Sequence, residues 1–443
     1  MTKVLILAYD FPPYVSVGGM RPYNWYRYLK EFDVEPIVVT RQWENKHGNQ
    51  LDYIDSGRSK EKLIENTKFG TIIRTPYNPN FANRLMLKYG EKKYRILRKS
   101  VSAFYEFAQF IFPTGPKVAL YKGAKEYLKN NKVDVIIATG DPFILFKYAS
   151  KLSNEFNIPW IADYRDPWSH NEEHRKTAIQ KKWNTYVEKR IVSTASHIRT
   201  VSKFVHSKID TLIPNKPYSI SPNGYDTVVI DEIKNIKQNE EEFSVSFVGT
   251  IYNWHPIESF LRVANEFVSK HPTAKILFKF YGTNLTDELN RMVNELFPNL
   301  KNHVVITPKI QNNELLAKLA SDNVMLLFNY YSYMGTKIFD YLGIRRKMIL
   351  CYEDDPEANE LKLKYYSVDE SGRESKQLQA DLINETNSGI IVRDSHHLLE
   401  VLEGLYKEFQ STGQIACDSI GVEKYSRKIQ VEKLAELIKE IGR

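Results

Sequence analysis

Short apolar runs recur along this chain, each followed by a polar or Gly-containing stretch and then by a segment with helical periodicity. Lys3-Val-Leu-Ile-Leu-Ala8, Pro36-Ile-Val-Val-Thr40, Val133-Asp-Val-Ile-Ile-Ala-Thr-Gly140 and Pro159-Trp-Ile-Ala162 have the near-continuous hydrophobicity of strands buried on both faces of a parallel sheet. His197 to Ser202 and Tyr218 to Ser221 read as two further short strands. A second series runs through Phe243 to Gly249, Ala274 to Tyr281, Val304 to Thr307, Val324 to Phe328, Met348 to Tyr352 and Gly389 to Val392. Helices are expected over Pro256 to Lys270, Asn312 to Ala320 and His396 to Phe409, and a last one over Val422 to Ile441. Ile233 to Phe243 is rich in Lys, Glu, Asn and Gln and lacks an apolar period, as a linker does. Glu353 to Gln379 is charged and poorly periodic, and reads as a loop plus a solvated helix. The pattern predicts an α/β protein of two doubly wound domains: residues 1–230, a linker over 231–243, residues 244–421, and a terminal helix over 422–443.

In an open parallel sheet, the loops after the strand C-termini line the ligand crevice, so chemistry is sought there. After the first strand come Asp10-Phe-Pro-Pro13 and Val17-Gly-Gly-Met-Arg21, then a helical pattern through Trp25, Tyr28 and Leu29. Gly18 and Gly19 suit a phosphate-binding turn, although the full GxGxxG pattern is not present. Asp163-Tyr-Arg-Asp-Pro-Trp-Ser-His170 is the densest cluster of acids, bases and cations in the first half. It makes Asp163, Asp166 and His170 the catalytic candidates and Arg165 an anion binder. In the second half, Gly249, Thr250, Gly282 and Lys309 follow strands, and Tyr331-Ser-Tyr-Met-Gly-Thr-Lys-Ile-Phe-Asp-Tyr-Leu342 joins a strand to a helix. There Gly335, Thr336 and Lys337 suit an anion at a helix N-terminus, and Asp340, one turn on, suits sugar hydroxyls. An ordinary strand-to-helix turn with solvated polar residues is the alternative.

The 443 residues exceed one core of ordinary size, and 42% apolar with 26% charged residues is a globular balance that excludes extensive disorder. Cys351 and Cys417 are the only cysteines, too few for a disulfide framework or a metal cluster. His396 and His397 are adjacent and point to different helix faces, so no metal site is expected. The N-terminal apolar run is too short for a signal peptide, and no run reaches the roughly 18 apolar residues of a membrane span. A soluble, cytoplasmic protein is expected. Net charge is +8, which suits anionic ligands, a membrane surface or nucleic acid. Much of it is local: seven basic residues from Arg84 to Lys99 stand against the single acid Glu91. Tyr94, Leu97, Val101, Phe104, Ala108 and Ile111 then line one helical face. Segment 84–112 therefore reads either as a helix for an anionic membrane surface or as a core-packed helix with a solvated basic face. No nucleic-acid module accompanies it, so nucleic acid is not an expected partner.

Taken in order, Val17-Gly-Gly-Met-Arg21, Asp163-Tyr-Arg-Asp-Pro-Trp168, Thr200-Val-Ser202, Ser221-Pro-Asn-Gly-Tyr-Asp226, Phe247-Val-Gly-Thr250 and Gly335-Thr-Lys-Ile-Phe-Asp-Tyr-Leu342 resemble the motifs of GT-B fold glycosyltransferases of the family-4-like group (glycosyl transferases group 1). The resemblance covers essentially the whole chain. It implies two facing Rossmann-like domains with the C-terminal helix crossing back to the first. It implies an enzyme moving a hexose-type sugar from a nucleotide-diphosphate donor to a glycan or lipid-linked acceptor on the N-terminal domain, in bacterial cell-surface polysaccharide synthesis at the inner face of the plasma membrane. Cofactors and metals are not implied beyond the nucleotide sugar itself, because cationic side chains and helix dipoles stabilise the leaving diphosphate. Donor phosphates would meet Thr336, Lys337, Gly249 and Thr250, and Asp340 matches the acid that holds the ribose. Two departures stand out: Ser332 occupies the position of a second family acid, and Ile251-Tyr252-Asn253 replace the Arg and Lys pair after the second Gly loop. Arg165, Lys309 and Lys337 are left to supply positive charge. A nucleotide-sugar epimerase of the same fold and a catalytically silent homologue that binds a partner are the alternative functions.

Overall fold

The computed structural model describes residues 1–14, 16–44, 51–56, 59–170, 177–368, 370 and 373–443. The chain forms two compact units: Met1–Pro222 with Lys428–Arg443, and Asn223–Arg427.

Unit 1 holds strands β1 (Thr2–Leu7), β2 (Val34–Arg41), β3 (Leu63–Asn66), β4 (Thr71–Thr75), β5 (Val135–Gly140), β6 (Trp160–Tyr164), β7 (His197–Thr200) and β8 (Tyr218–Ile220). They form one sheet in the order β3-β4-β2-β1-β5-β6-β7-β8. All neighbours are parallel except β3 and β4. The central strand shows why the apolar runs are unbroken. Leu5 and Leu7 pack with Ile37, Leu120, Ile136 and Phe146 on one face, while Val4, Ile6 and Ala8 pack with Trp25, Val38 and Ile137 on the other. Each such side chain contributes about 1.5–3 kcal/mol relative to exposure. The second face is completed by Val431, Leu434, Ala435 and Ile438 of the terminal helix, which belongs to unit 1. That helix spans Arg427–Ile441 rather than starting at Val422: a short 3-10 turn, Val422–Tyr425, ends at Ser426 in extended conformation. Strand β3 carries no sequence signal of the kind used above, because Leu63 and Ile64 lie exposed at the sheet edge, and β4 offers only two buried apolar residues, Ile72 and Ile73, between polar ones.

Unit 2 holds β9 (Phe243–Val248), β10 (Ile276–Tyr281), β11 (Val304–Thr307), β12 (Val324–Phe328), β13 (Lys347–Cys351) and β14 (Gly389–Val392), in the order β11-β10-β9-β12-β13-β14. All pairs are parallel. The order reverses between β9 and β12, as it does between β1 and β5 in unit 1, so each unit has its own topological switch point. Residues 231–243, expected to link the halves, lie inside unit 2. The Gln238 amide donates to the Ile415 carbonyl (2.8 Å) and accepts from Asn323 (3.1 Å), which ties this apolar-poor segment down through polar contacts that no periodicity reveals.

Candidate functional site

At the switch point of unit 1, the helix Val17–Tyr28 begins just beyond β1. Ser16 caps it, its Oγ accepting from the Gly19 N–H (2.9 Å) and donating to Asp10 Oδ2 (3.0 Å). The other carboxylate oxygen of Asp10, Oδ1, is buried and has no hydrogen-bond partner among the described residues. Burial pushes the Asp10 carboxyl up, with the Ser16 bond and the charge of Arg165 opposing. Arg165 reaches this place from the loop after β6. Its Nε donates to the Gly140 carbonyl (2.7 Å) and its Nη2 to the Asp141 carbonyl, at the end of β5. The guanidinium lies against Gly18, where a Cβ would be 1.6 Å from Nη1. The structure thus brings Gly18, Gly19, Arg165 and Asp10 together around a helix N-terminus.

The other residues of the Asp163–His170 loop separate. Asp163, the penultimate residue of β6, has no solvent exposure. It accepts from Arg21 Nη2 (2.8 Å) and Nε (3.0 Å) and from Thr139 Oγ1 (3.0 Å), with Arg199 Nη1 at 3.4 Å. Burial alone would raise its pKa, but Arg21 and Arg199 outweigh that and hold it below the usual carboxylate value. A carboxylate so enclosed positions the two guanidiniums. Asp166 is exposed, and His170 is half-buried with Nδ1 3.1 Å from Ser169 Oγ. Between them Trp168 is buried and stacks on Phe143 at 5.1 Å. The loop is held from behind by Glu188, which accepts from the Tyr164 hydroxyl (2.9 Å) and the Ser169 N–H (2.8 Å).

In unit 2 the corresponding edge is built by the loops after β9, β10, β11 and β12. Gly249 follows β9 with φ +106°, a conformation that L side chains rarely adopt, and the space where its Cβ would stand is open. Its N–H donates to the Tyr281 carbonyl (3.0 Å) and the Gly282 N–H to the Thr307 carbonyl (2.8 Å), which extends the ladder into the loops. Asn284 closes the first two loops, accepting from the Ile251 N–H (2.8 Å), and Gly282 lies against the Lys309 backbone. Gly249, Thr250, Gly282 and Lys309 therefore belong to adjoining loops of one edge.

Across the switch point, Tyr252 meets Tyr330 edge-on at 5.6 Å, and Gly335 faces the Tyr330 ring. Gly335 and Thr336 lead into the helix Lys337–Ile344, whose start has no side-chain cap. Its first N–H groups and the positive end of its dipole are thereby left for an anion. Lys337 Nζ is 3.1 Å from Asp340 Oδ2, both partly exposed, so the pair holds a cation at the turn. Ser332 is fully buried: its Oγ bonds the Tyr366 hydroxyl (2.8 Å) and its carbonyl accepts from Arg373 Nη1 (2.8 Å). Tyr366 and Arg373 come from the charged segment expected to be solvated. The helix there is Pro356–Tyr365, and the residues after it fold onto the turn, with the Leu378 N–H donating to the Tyr331 carbonyl (3.0 Å).

Asp10, Arg21, Arg199, Tyr330 and Arg373 had no assigned role in the sequence. Ser16, three residues before Gly19, is a readable cap signal, but the Arg21–Asp163 pair spans 142 positions and has no local signature. Among the described residues, no three His, Cys, Asp or Glu side chains group to hold a metal ion.

No protein-family model matches the chain, and no curated protein matches it by sequence. Solved structures do match it over its whole length. Sucrose-phosphate synthase from Thermosynechococcus elongatus superposes with a TM-score of 0.58 at 13% identity, covering 100% of this chain and 99% of that one. A UDP-forming α,α-trehalose-phosphate synthase from Burkholderia xenovorans gives 0.58 at 9% identity, covering 100% of both chains. Anabaena HepE in complex with UDP-glucose gives 0.51 at 11% identity, covering 99% and 100%. The fold is GT-B. In GT-B terms, β1 to β8 with the terminal helix make the N-terminal Rossmann-like unit and β9 to β14 the C-terminal one. At these identities the likeness establishes the fold and leaves the chemistry to the residues.

Proposed function

We propose that this protein is a glycosyltransferase that moves a hexose-type sugar from a nucleotide-diphosphate donor to a glycan or lipid-linked acceptor. The observation that carries the reading is the uncapped helix start at Gly335-Thr336-Lys337, set on the switch-point edge of unit 2 with Asp340 behind it. In the reaction the bond between the anomeric carbon and the donor's diphosphate oxygen breaks, the acceptor hydroxyl oxygen bonds to that carbon, and its proton leaves. Negative charge builds on the diphosphate, where Thr336, the helix N-terminus, Lys337 and Lys309 oppose it without a metal ion. Gly249, Thr250 and Gly282 let backbone approach the donor, and Asp340 accepts from ribose hydroxyls. In unit 1, Gly18, Gly19 and Arg165 offer a second anion site. Asp10, Asp166 and His170 are the groups placed to take a proton, whereas Asp163 positions Arg21. The donors carried by solved structures of this fold, UDP-glucose in HepE and UDP-2-fluoroglucose in the Escherichia coli trehalose-6-phosphate protein, support a nucleotide sugar here. Surface-polysaccharide assembly at the inner face of the plasma membrane is the setting this reading implies.

Titration of the full chain with nucleoside diphosphates and a panel of nucleotide sugars tests the reading. Binding and turnover of one donor, both lost in Lys337→Ala and Asp340→Ala, are expected, and a chain that binds no nucleotide sugar overturns it. Ser332 favours a second reading, since the position of a family acid is sealed by Tyr366 and carries Arg373 beside it. A protein that binds a donor yet never turns it over is the silent homologue, and a product formed without acceptor marks an epimerase.

A further inference from the structure

The helix Arg95–Ala108 in unit 1 is amphipathic, yet its apolar flank is open to solvent. Ile96 is 83% exposed and Phe104 64%, and Leu97, Phe107 and Ile111 lie on the same flank at 3.6 residues per turn. Of the helix's apolar and aromatic residues, Val101, Tyr105 and Ala108 are the ones at least partly buried. Single exposed apolar residues are unremarkable, but a contiguous row of this kind marks an interaction surface. The row continues onto a second helix, Ala178–Val192. There the Trp183 ring sits 4.3 Å from that of Phe107, and Ile179 (82% exposed) and Tyr186 (56%) stand one turn to either side on the same face. Cations surround it. Arg84 and Lys88 lie on the preceding helix Phe81–Tyr89, Lys92 and Lys93 in the turn, and Lys181 and Lys182 beside Trp183.

We propose that this two-helix surface docks on an anionic lipid bilayer. Its apolar flank, with Trp and Tyr at the rim, enters the headgroup boundary, and the exposed cations Arg84, Lys88, Lys92, Lys93, Arg95 and Lys99, which outnumber the acids Glu91 and Glu106, meet the lipid phosphates. Charge complementarity favours this occupant over a second copy of the chain, because two such surfaces facing each other would bring like charge together. Among the described residues no helix is long and apolar enough to cross a membrane, so docking is along the surface. The proposal deepens the glycosyltransferase reading, from which a lipid-linked acceptor follows, but it does not depend on turnover.

Co-sedimentation of the full chain with vesicles tests it, using phosphatidylcholine alone or mixed with phosphatidylglycerol. Partitioning onto the anionic vesicles is expected to exceed that onto the neutral ones by about tenfold or more, and to fall as salt is raised. The double variant Ile96→Ser/Phe104→Ser and the charge variant Lys92→Glu/Lys93→Glu, both at exposed positions, should each lose most of it with unchanged thermal melting. Equal binding to both vesicles, or none, overturns the proposal. So does light scattering that shows a dimer in wild type and a monomer in Ile96→Ser/Phe104→Ser. Because nucleotide titration is a separate measurement, vesicle binding without donor binding would fail the catalytic reading alone, and the reverse would fail this one alone.

Discussion

The guanidinium of Arg165 fills the space beside Gly18, where a Cβ would lie 1.6 Å from Nη1. The clash involves the far end of a flexible side chain, so Gly18→Ala is expected to fold. Ala in a helix even gains up to about 1 kcal/mol over Gly. What must move is the cation itself, away from the Gly140 and Asp141 carbonyls that fix it. Turnover of the donor should fall by about a hundredfold, as for other misplacements near 1 Å. Steady-state kinetics beside a melting curve checks this, and unaltered kinetics would remove Arg165 and Gly18 from the site.

Asp163 faces two guanidiniums inside unit 1 with no exposure. Asp163→Asn leaves Arg21 and Arg199 buried and uncompensated, a change that costs about 3–5 kcal/mol. Urea unfolding should show that loss. Full stability with abolished turnover would instead make Asp163 a catalytic group.

Lys337 and Asp340 form a partly exposed pair, and such pairs contribute about 0–1 kcal/mol. Lys337→Ala should therefore leave melting almost unchanged. A charged hydrogen bond to phosphate contributes about 1.5–3 kcal/mol, which corresponds to roughly 10–150-fold in affinity for a nucleoside diphosphate. Calorimetric titration separates the two effects.

The Asp10 carboxyl is pushed above its ordinary value of 3.8 by burial. If Asp10 takes the acceptor proton, the acid limb of kcat/KM lies above that value, since protonation on lowering the pH switches the base off. Asp10→Asn should abolish the limb together with most of the rate. A profile that Asp10→Asn leaves unaltered would pass the role to Asp166 or His170.

His255 is buried among Tyr252, Trp254, Phe328 and Tyr330, and burial lowers its pKa from 6.5 to about 3. His197 is lowered to about 4, by burial first and then by Arg199. Both are depressed in the folded chain, so between pH 6.5 and 5 the unfolded chain binds more protons and stability falls with pH. The slope is at most about 1.4 kcal/mol per pH unit for each His. Melting curves across that window should show the decline, and His255→Phe should make it shallower.

Much of the fold was legible because buried parallel strands have no solvated face. The runs at Val4–Ala8 and Val324–Phe328 are apolar throughout, and the structure buries both faces of each. Strand β3 has no such run because it is an edge strand with Leu63 and Ile64 exposed, and β4 has only Ile72 and Ile73 between polar residues. Sequence also placed the loops that hold Gly18, Arg165, Gly249 and Thr336 at strand ends, where an open sheet presents its ligand groups.

The sequence by itself determined the two βα series, their turns and the amphipathic character of the Arg95–Ala108 helix, because each depends on residues close along the chain. Only the tertiary structure decided which face of that helix stays open, and which of Asp10, Asp163 and Asp166 reaches solvent. Asp163 and Asp166 are three positions apart, one in β6 and one in the loop after it, and one ends in a buried ion cluster and the other outside. The difference is made by Arg21, in the helix after β1, and Arg199, in β7, which are distant in sequence and meet Asp163 only when β1, β6 and β7 lie in one sheet. Burial and charge pairing are properties of such meetings, and local pattern does not contain them.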